Sequence, residues 1–467
     1  VGGGGVTVLP GTVWPLIVLV APVLLEQFLA LAVGFVDKWL AGNLFTDAEP
    51  LAAIGLVAYC LAFMPVLFVM PAAAATALVS RAVGAGDEAA ARRAATACLI
   101  VAVSLAGVSL VVATLGGTWF VGLLGLPAGS SSLAVRYLVI VTPTLPLLAV
   151  IAVGVASLRG AGDMVAGLVA MSVVNLVNAA ASFVLATGQL GLPRLGWEGL
   201  AWGTVVGYAC GAVVVMVLLA RPARGLRPRR PDWRPRRESL GQIARIGGPA
   251  GTDAIGNAAC HLAFLGIVNR LGDLDAAAHS VAITIESLAF LPGSAFGVAA
   301  ATLAGQFLGS GDERRARRSV GLAAVTAAVL MTLAGLGFLA ASKPLADWFT
   351  GGGGQPKVAA LAASLVRIVA FAQLPLALLM VFAGGMRGAG ATRPPLIVNF
   401  AGLILIRLPL AVFLAWPPSD VPGGLGTFPG CGLGVYGAWL AMAADLAARG
   451  LAMLVLYLQG GWSRAVV

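Results

Sequence analysis

The sequence predicts an all-α membrane protein, with twelve transmembrane helices in two pseudo-symmetric six-helix lobes. Three observations predict it. Of the 467 residues, 60% are hydrophobic and only 10% charged, where soluble domains carry roughly 45–50% and about a quarter; mean hydropathy is +0.97. The apolar residues gather into twelve long runs separated by short polar turns. Polar motifs of the first half recur, in order, in the second.

The runs fall at 13–40, 51–80, 94–119, 132–157, 164–187 and 197–220, then at 242–270, 277–308, 319–345, 358–385, 394–416 and 433–458. Each meets the roughly 20 residues that a helix needs to cross the hydrocarbon core. The longer ones imply tilt, kinks or projection beyond the bilayer. Pro22, Pro65, Pro143, Pro146, Pro249, Pro292, Pro375 and Pro409 lie inside the runs. Prolines are tolerated there where neighbouring helices or waters satisfy the freed carbonyls.

Charge orients the bundle. Of the 29 Lys and Arg residues, 21 lie in the loops after even-numbered spans and at the C-terminal end. The positive-inside rule therefore places both termini and the 221–240 linker in the cytoplasm. That linker contains RPARGLRPRRPDWRPRRES, too rich in Pro and Arg to build a core of its own. It divides an N-terminal lobe, 1–220, from a C-terminal lobe, 241–467. The net charge of +10 is thus explained by topology. No basic stripe interleaved with exposed aromatics points to nucleic acid, and the partner expected is the lipid bilayer.

The repeat is read from three landmarks. Gly84-Ala-Gly86-Asp87-Glu88 recurs as Gly309-Ser-Gly311-Asp312-Glu313, 225 residues on. Arg159-Gly160-Ala161-Gly162 recurs as Arg387-Gly388-Ala389-Gly390 after 228, and Pro22 with Glu26 as Pro249 with Asp253 after 227. Six spans per unit is an even number, so the halves share one orientation about an axis along the membrane normal. In the Gly-x-Gly-Asp-Glu turns, Gly supplies positive φ past one helix and the acids suit the start of the next.

Several classes are excluded. Five scattered Cys residues give neither a disulfide frame nor a zinc site. Two His residues and no Cys/His cluster leave no metal centre. There is no Walker A sequence and no supported Ser-His-Asp arrangement, so neither an enzyme nor a P-loop pump is expected.

Acids inside spans carry the functional reading, because a charge at the bilayer centre costs roughly 3 kcal/mol or more. They are Glu26, Asp37, Asp253, Glu286 and Asp445. Glu26 and Asp37 stand about three turns apart on one face of span 1. Asp253, Asn257 and His261 form a stripe on span 7 at i, i+4 and i+8. Glu286 shares a face with His279, and Asp445 precedes Arg449 by four, reading as an internal ion pair near a helix end. Glu26, Asp253, Asn257, His261 and Glu286 make a candidate second site, with Glu26 and Asp253 expected to face each other across the lobes. Met64, Met70, Phe290, Phe296 and Met380 are candidate cavity linings, although packing suits each of them.

The ordered set of Pro22, Val36-Asp37, the Gly-x-Gly-Asp-Glu turn, Leu158-Arg-Gly-Ala-Gly-Asp163, Asn175, Asn178, Gly305-Gln306, Met386-Arg-Gly-Ala-Gly390 and Ile406-Arg-Leu-Pro409 resembles the multidrug and toxic compound extrusion (MATE) family over essentially the whole chain. The resemblance implies a monomeric inner-membrane antiporter without cofactor. Such a protein exports small organic compounds, often cationic and amphipathic, against H⁺ or Na⁺, through a V-shaped cavity that opens alternately to each side. Asp37 and Asn178 match the ion-coupling pair of the DinF-like branch, with Asn175 and Ser182 beside them and Na⁺ as one candidate ligand of Asp37 and Asn178. Ser182 stands where that branch commonly has a second Asp, which leaves the ion open. The span-7 Glu of the NorM-like branch falls near Asn257. The alternatives are a flippase of lipid-linked oligosaccharide or lipid precursors, and a non-transporting sensor or scaffold.

Overall fold

The computed structural model describes residues 13–45, 48–123, 128–222, 225–351, 354–420 and 427–465. The first half runs α1 (Val13–Leu44), α2 (Ala48–Phe63), α3 (Val69–Gly84), α4 (Glu88–Leu123), α5 (Ala128–Val141), α6 (Leu145–Gly160), α7 (Val165–Thr187) and α8 (Trp197–Ala220). The second runs α9 (Arg237–Asn269), α10 (Asp273–Gly309), α11 (Glu313–Phe349), α12 (Pro356–Gly388), α13 (Arg393–Phe400), α14 (Leu408–Ala415) and α15 (Gly434–Gln459). The only strands among the described residues are a two-residue antiparallel pair, Ser419–Asp420 with Thr427–Phe428.

Fifteen helices make twelve rods because three rods are interrupted, and two of the breaks begin at a proline. Met64–Phe68 winds into a 3-10 turn that joins α2 to α3, with Pro65 at its start. Thr142–Thr144 does the same between α5 and α6 around Pro143. Proline lacks the N–H that a continuing helix requires, and its ring crowds the preceding turn. Between α13 and α14 the chain widens into π-helix over Ala401–Arg407, just before Pro409. Pro22, Pro249, Pro292 and Pro375 stay inside continuous helices.

Among the described residues, eleven rods are long and apolar enough to cross a membrane; the twelfth, α9, carries the polar stripe anticipated on span 7. Large apolar side chains point outward along the bundle, among them Phe35, Trp39, Leu115, Leu176, Phe371 and Leu405. A belt of that kind is at home in lipid rather than water. The protein is a multi-pass membrane protein.

Cores form within each half, and α1 ties them together. Leu16, Leu19, Val20 and Val23 bury themselves in the core of the second half with Phe296 and Ala299. The two halves also cross at α3 and α10, where the repeat becomes a reciprocal contact. A Cβ at Gly84 would lie 2.0 Å from the Gln306 carbonyl oxygen, and one at Gly309 would lie 2.1 Å from the Arg81 carbonyl oxygen. Only glycine permits backbones this close. Gln306 Nε2 then donates to the Gly160 carbonyl over 3.0 Å, and Arg81 Nη2 to the Ala465 carbonyl over 2.8 Å. The end of the bundle that bears the Arg-rich loops is therefore closed across the two halves.

The repeated turns are built as their sequence suggests. Gly86 and Gly311 adopt positive φ, and Asp87 and Asp312 cap the following helices by accepting from the Ala90 and Arg315 amides. The linker is anchored to the first half. Leu226 is buried in the first-half core, and Asp232 accepts from Arg92 Nε at 2.7 Å and from the Arg229 amide at 2.8 Å. Prolines fix the local φ angles, so one apolar and one acidic anchor suffice to dock the segment.

Candidate functional site

Two polar sites emerge. The first lies wholly within the first half, at the end of the bundle where α1 and α7 finish and α5 and α8 begin. Its platform is the α7–α8 contact. Gly199, Gly203, Gly207 and Gly211 recur every four residues on one face of α8. A Cβ at Gly203 would fall 2.1 Å from Ser182 Oγ, and one at Gly207 would fall 2.9 Å from the Val174 carbonyl oxygen. The glycine stripe lets the helices touch backbone to backbone, which delivers Asn178, Ser182 and Thr204 to one point.

Asp37 reaches that point from α1 and is buried, while Lys38 beside it is exposed. Its Oδ2 accepts from Tyr137 Oη at 2.8 Å and from Thr204 Oγ1 at 3.0 Å; its Oδ1 accepts from Asn178 Nδ2 at 3.4 Å. Asn178 Nδ2 also reaches Thr204 Oγ1 at 3.1 Å and Ser182 Oγ at 3.4 Å, and Ser182 donates to the Leu200 carbonyl. No cationic side chain pairs with Asp37 among the described residues. Asn178 Oδ1 is buried without a partner. The arrangement is one carboxylate with three donors on it, in reach of neutral oxygens. It can hold a proton; a cation there would meet a single carboxylate and neutral oxygens only.

Sequence reasoning brought Asp37, Asn178 and Ser182 together, and they are together. Asn175 is not with them. One turn earlier on α7, it donates to the Leu29 carbonyl of α1 at 2.9 Å and to the Met171 carbonyl at 2.8 Å. Leu29 precedes Asp37 by about two helical turns, some 12 Å along the axis. Tyr137 and Thr204 were missed. The glycine stripe marks the face of α8 that meets Asn178 and so points to the region of Thr204, but nothing in the sequence points to Tyr137.

The second site is a cavity of about 450 Å³, walled by α9, α10, α12, α13, the π-helical turn and α15, with Ala73, Thr76 and Arg159 contributed by the first half. Asn257, His261 and Glu286 line it together, joined by Arg387, Asn399, Arg407 and Arg449. Phe290 and Met380 line it as well. Phe296 instead is core, Met70 packs against Gly247 and Gly251, and Met64 packs on the first-half core.

Glu26 and Asp253 behave otherwise than expected. Each pairs with the arginine of the Arg-Gly-Ala-Gly motif in its own half, Glu26 with Arg159 and Asp253 with Arg387. Neither is among the residues lining the cavity. A buried carboxylate is stable only beside a cation or several donors, and the repeat supplies the same cation twice. Asp253 is further held by Asn399 Nδ2 at 2.9 and 3.0 Å. His261 has no hydrogen bond among the described residues. His279 is structural, accepting from Trp439 Nε1 at 3.1 Å.

Asp445 sits mid-helix on α15 rather than near an end. Arg449 chelates it through Nε at 2.9 Å and Nη2 at 2.6 Å, and Arg407 Nε adds a bond of 2.9 Å. Arg449 Nη1 continues to Asn399 Oδ1 at 3.2 Å, which links Asp445 to Asp253 in one network.

Comparison with known proteins agrees with this architecture. The profile of the MatE family matches residues 22–184 and 249–413, one stretch in each half. The chain is 26% identical over 458 residues to a probable multidrug resistance protein NorM of Thermotoga maritima, covering 97% of this chain and 93% of that protein. Identity to a NorM of Bradyrhizobium diazoefficiens is 28% over 451 residues, covering 93% of each chain. Identity to the multidrug resistance protein PmpM of Pseudomonas aeruginosa is 26% over 441 residues, covering 92% and 90%. Among solved structures, an outward-facing multidrug resistance MATE family transporter superposes with a TM-score of 0.84 at 19% identity, covering 98% of this chain and 97% of that one. The bent form of the Vibrio cholerae transporter VcmN gives 0.83 at 19% identity, covering 95% and 96%.

Proposed function

The chain belongs to the MatE family of membrane transporters, and we propose on that premise that it is a secondary active antiporter of the inner membrane. It exports small organic compounds against an inward ion gradient by alternating access. Lobes 1–220 and 241–467, joined by the linker at 221–240, rock about the α3–α10 contact, with both termini in the cytoplasm. The observation that carries the proposal is Asp37. It is a buried carboxylate with no cationic partner among the described residues, held by Tyr137, Thr204 and Asn178. A group so costly to keep charged in a membrane is retained where its charge changes during work.

We favour H⁺ as the coupling ion. Tyr137, Thr204 and Asn178 all turn donors toward the carboxylate, which leaves one carboxylate and few oxygens for Na⁺. The kinship with the DinF-like branch rests on Asp37 and Asn178, while the named relatives are NorM and PmpM proteins.

The test is dye efflux from inverted vesicles under an imposed pH or Na⁺ gradient. Export driven by ΔpH and lost in Asp37→Asn supports the reading. Export that survives collapse of both gradients, or is untouched by Asp37→Asn, overturns it.

A further inference from the structure

Four arginines line the second-half cavity, but only three carboxylates pair with them. Arg159 is engaged by Glu26, Arg387 by Asp253, and Arg449 by Asp445 and Asn399. Arg407 gives Asp445 its Nε alone, and its two Nη groups have no hydrogen-bond partner among the described residues. Asp445 thus faces two guanidinium groups, and the trio carries one excess positive charge that reaches the cavity through Arg407.

The cavity also holds the converse. Glu286 lines the same wall, its Oε2 is buried with no hydrogen-bond partner, and no ion pair joins it to any described arginine. Cation and anion therefore line one chamber without closing on each other. A ligand bearing only a positive charge would satisfy Glu286 and leave the guanidinium excess unopposed. A ligand bearing only a negative charge would do the reverse. Leaving either group buried without a counter-charge is costly. Phe290, Leu376, Leu379 and Met380 add an apolar lining to the same cavity, and about 450 Å³ is the volume of a drug-sized pocket.

We propose that this cavity takes zwitterionic amphiphiles, the anionic group held by Arg407 and the cationic nitrogen by Glu286, with an aromatic or aliphatic frame between. The proposal rests on the export reading and narrows its substrate class. It makes the carboxylate or equivalent oxyanion of the ligand as necessary as its cation.

A matched pair of dyes tests it: an amino-xanthene bearing a free benzoate, and the methyl ester of the same dye, which differs only by loss of the negative charge. Binding is read by fluorescence anisotropy on the purified full-length chain, and export by efflux from proteoliposomes under the coupling gradient. The free acid should bind about tenfold more tightly than the ester, the worth of one charge-assisted pair. Arg407→Gln should bring that ratio to about one, whereas Glu286→Gln should weaken both dyes about tenfold and keep the ratio. A general structural defect would weaken both dyes equally in each variant. If Arg407→Gln does not fold, the wild-type ratio of acid to ester decides. Equal binding of acid and ester by the wild type, or a ratio that persists in Arg407→Gln, overturns the proposal. Binding of the acid without export of either dye under any gradient sinks the export reading and leaves this one standing.

Discussion

Tyr137 donates its phenolic hydrogen to Asp37 Oδ2 over 2.8 Å, joining the fourth span of the first half to its first. The phenol is fully buried and also contacts Thr204 Oγ1 at 2.9 Å. A neutral donor that sets both the position and the solvation of a lone carboxylate should tune its traffic in protons rather than merely pack. Tyr137→Phe removes a hydrogen bond to a charged group, worth about 1.5–3 kcal/mol. Gradient-driven efflux should fall about tenfold while ΔpH still drives what remains. Asp37→Asn should leave no gradient dependence at all. Efflux rates in inverted vesicles at matched expression check both.

The α7–α8 contact sets the geometry of that site, and Gly203 is its tightest point against Ser182. Gly203→Val would drive side-chain carbon into Ser182 Oγ and its backbone nitrogen, which lie 2.1 and 2.4 Å from a Cβ at that position. Helix backbones must then separate, at a cost of about 1–3 kcal/mol or more. A lower Tm in detergent and loss of coupled export are expected, whereas Gly34→Ala, where a Cβ meets nothing within 4 Å, should leave both unchanged.

In the second half, Asp445 neutralises part of a doubly cationic cluster at 2.6 to 2.9 Å. Asp445→Asn leaves two buried guanidinium groups facing each other without an anion. Breaking a buried pair in this way costs about 3–5 kcal/mol, so the thermal midpoint should drop sharply. Arg407→Gln leaves Asp445 chelated by Arg449 and should cost less. Melting curves of the purified variants rank the two.

The division of legible from illegible follows the physics. Spans, their number and the two-half repeat were readable because a bilayer demands long apolar runs and because backbone motifs such as Gly84-x-Gly86-Asp87 serve turns that both halves share. Asp37 was readable as a costly charge inside a span, and Asn178 and Ser182 through the family resemblance. Tyr137 and Thr204 were not, since a Tyr and a Thr in an apolar helix are cheap and carry no mark of their partner. Glu26 and Asp253 were recognised as equivalents but assigned to each other, because sequence gives the repeat without saying which element each copy meets. Their partners, Arg159 and Arg387, were read as topology signals and as landmarks of the repeat, not as counter-ions.

The linker offers a test outside the membrane. Burial would raise the Asp232 carboxyl, but the Arg229 amide and the charges of Arg92 and Arg93 outweigh it and hold it below the ordinary range. A depressed value in the folded state means that the contact contributes above the unfolded carboxylate value of about 4 and is lost as pH falls through the depressed one. Hydrogen exchange at the Arg229 and Asp232 amides should therefore be faster in Asp232→Asn than in wild type at neutral pH. The difference should vanish well below about pH 4, and unequal exchange in strong acid would contradict the assignment.

Closure at the Arg-rich end depends on two glycines that play the same part in opposite halves. Gly84 rests on the Gln306 carbonyl and Gly309 on the Arg81 carbonyl, so a side chain at either position pries α3 from α10. If the halves alternate about this contact, Gly84→Leu or Gly309→Leu biases the population toward opening on the cytoplasmic face without touching either polar site. Thr76 and Ala301 lie deeper on the same two helices and line the cavity, which makes them reporters. A single cysteine at Ala301, in a chain whose five free cysteines have been replaced, should be slow to react with a membrane-impermeant maleimide added from the cytoplasmic side. In the Gly84→Leu background it should react about tenfold faster, corresponding to a shift of about 1.4 kcal/mol in the closed–open equilibrium. Labelling from the opposite face should slow by a comparable factor. Unchanged labelling from both faces would mean that this contact is not the gate.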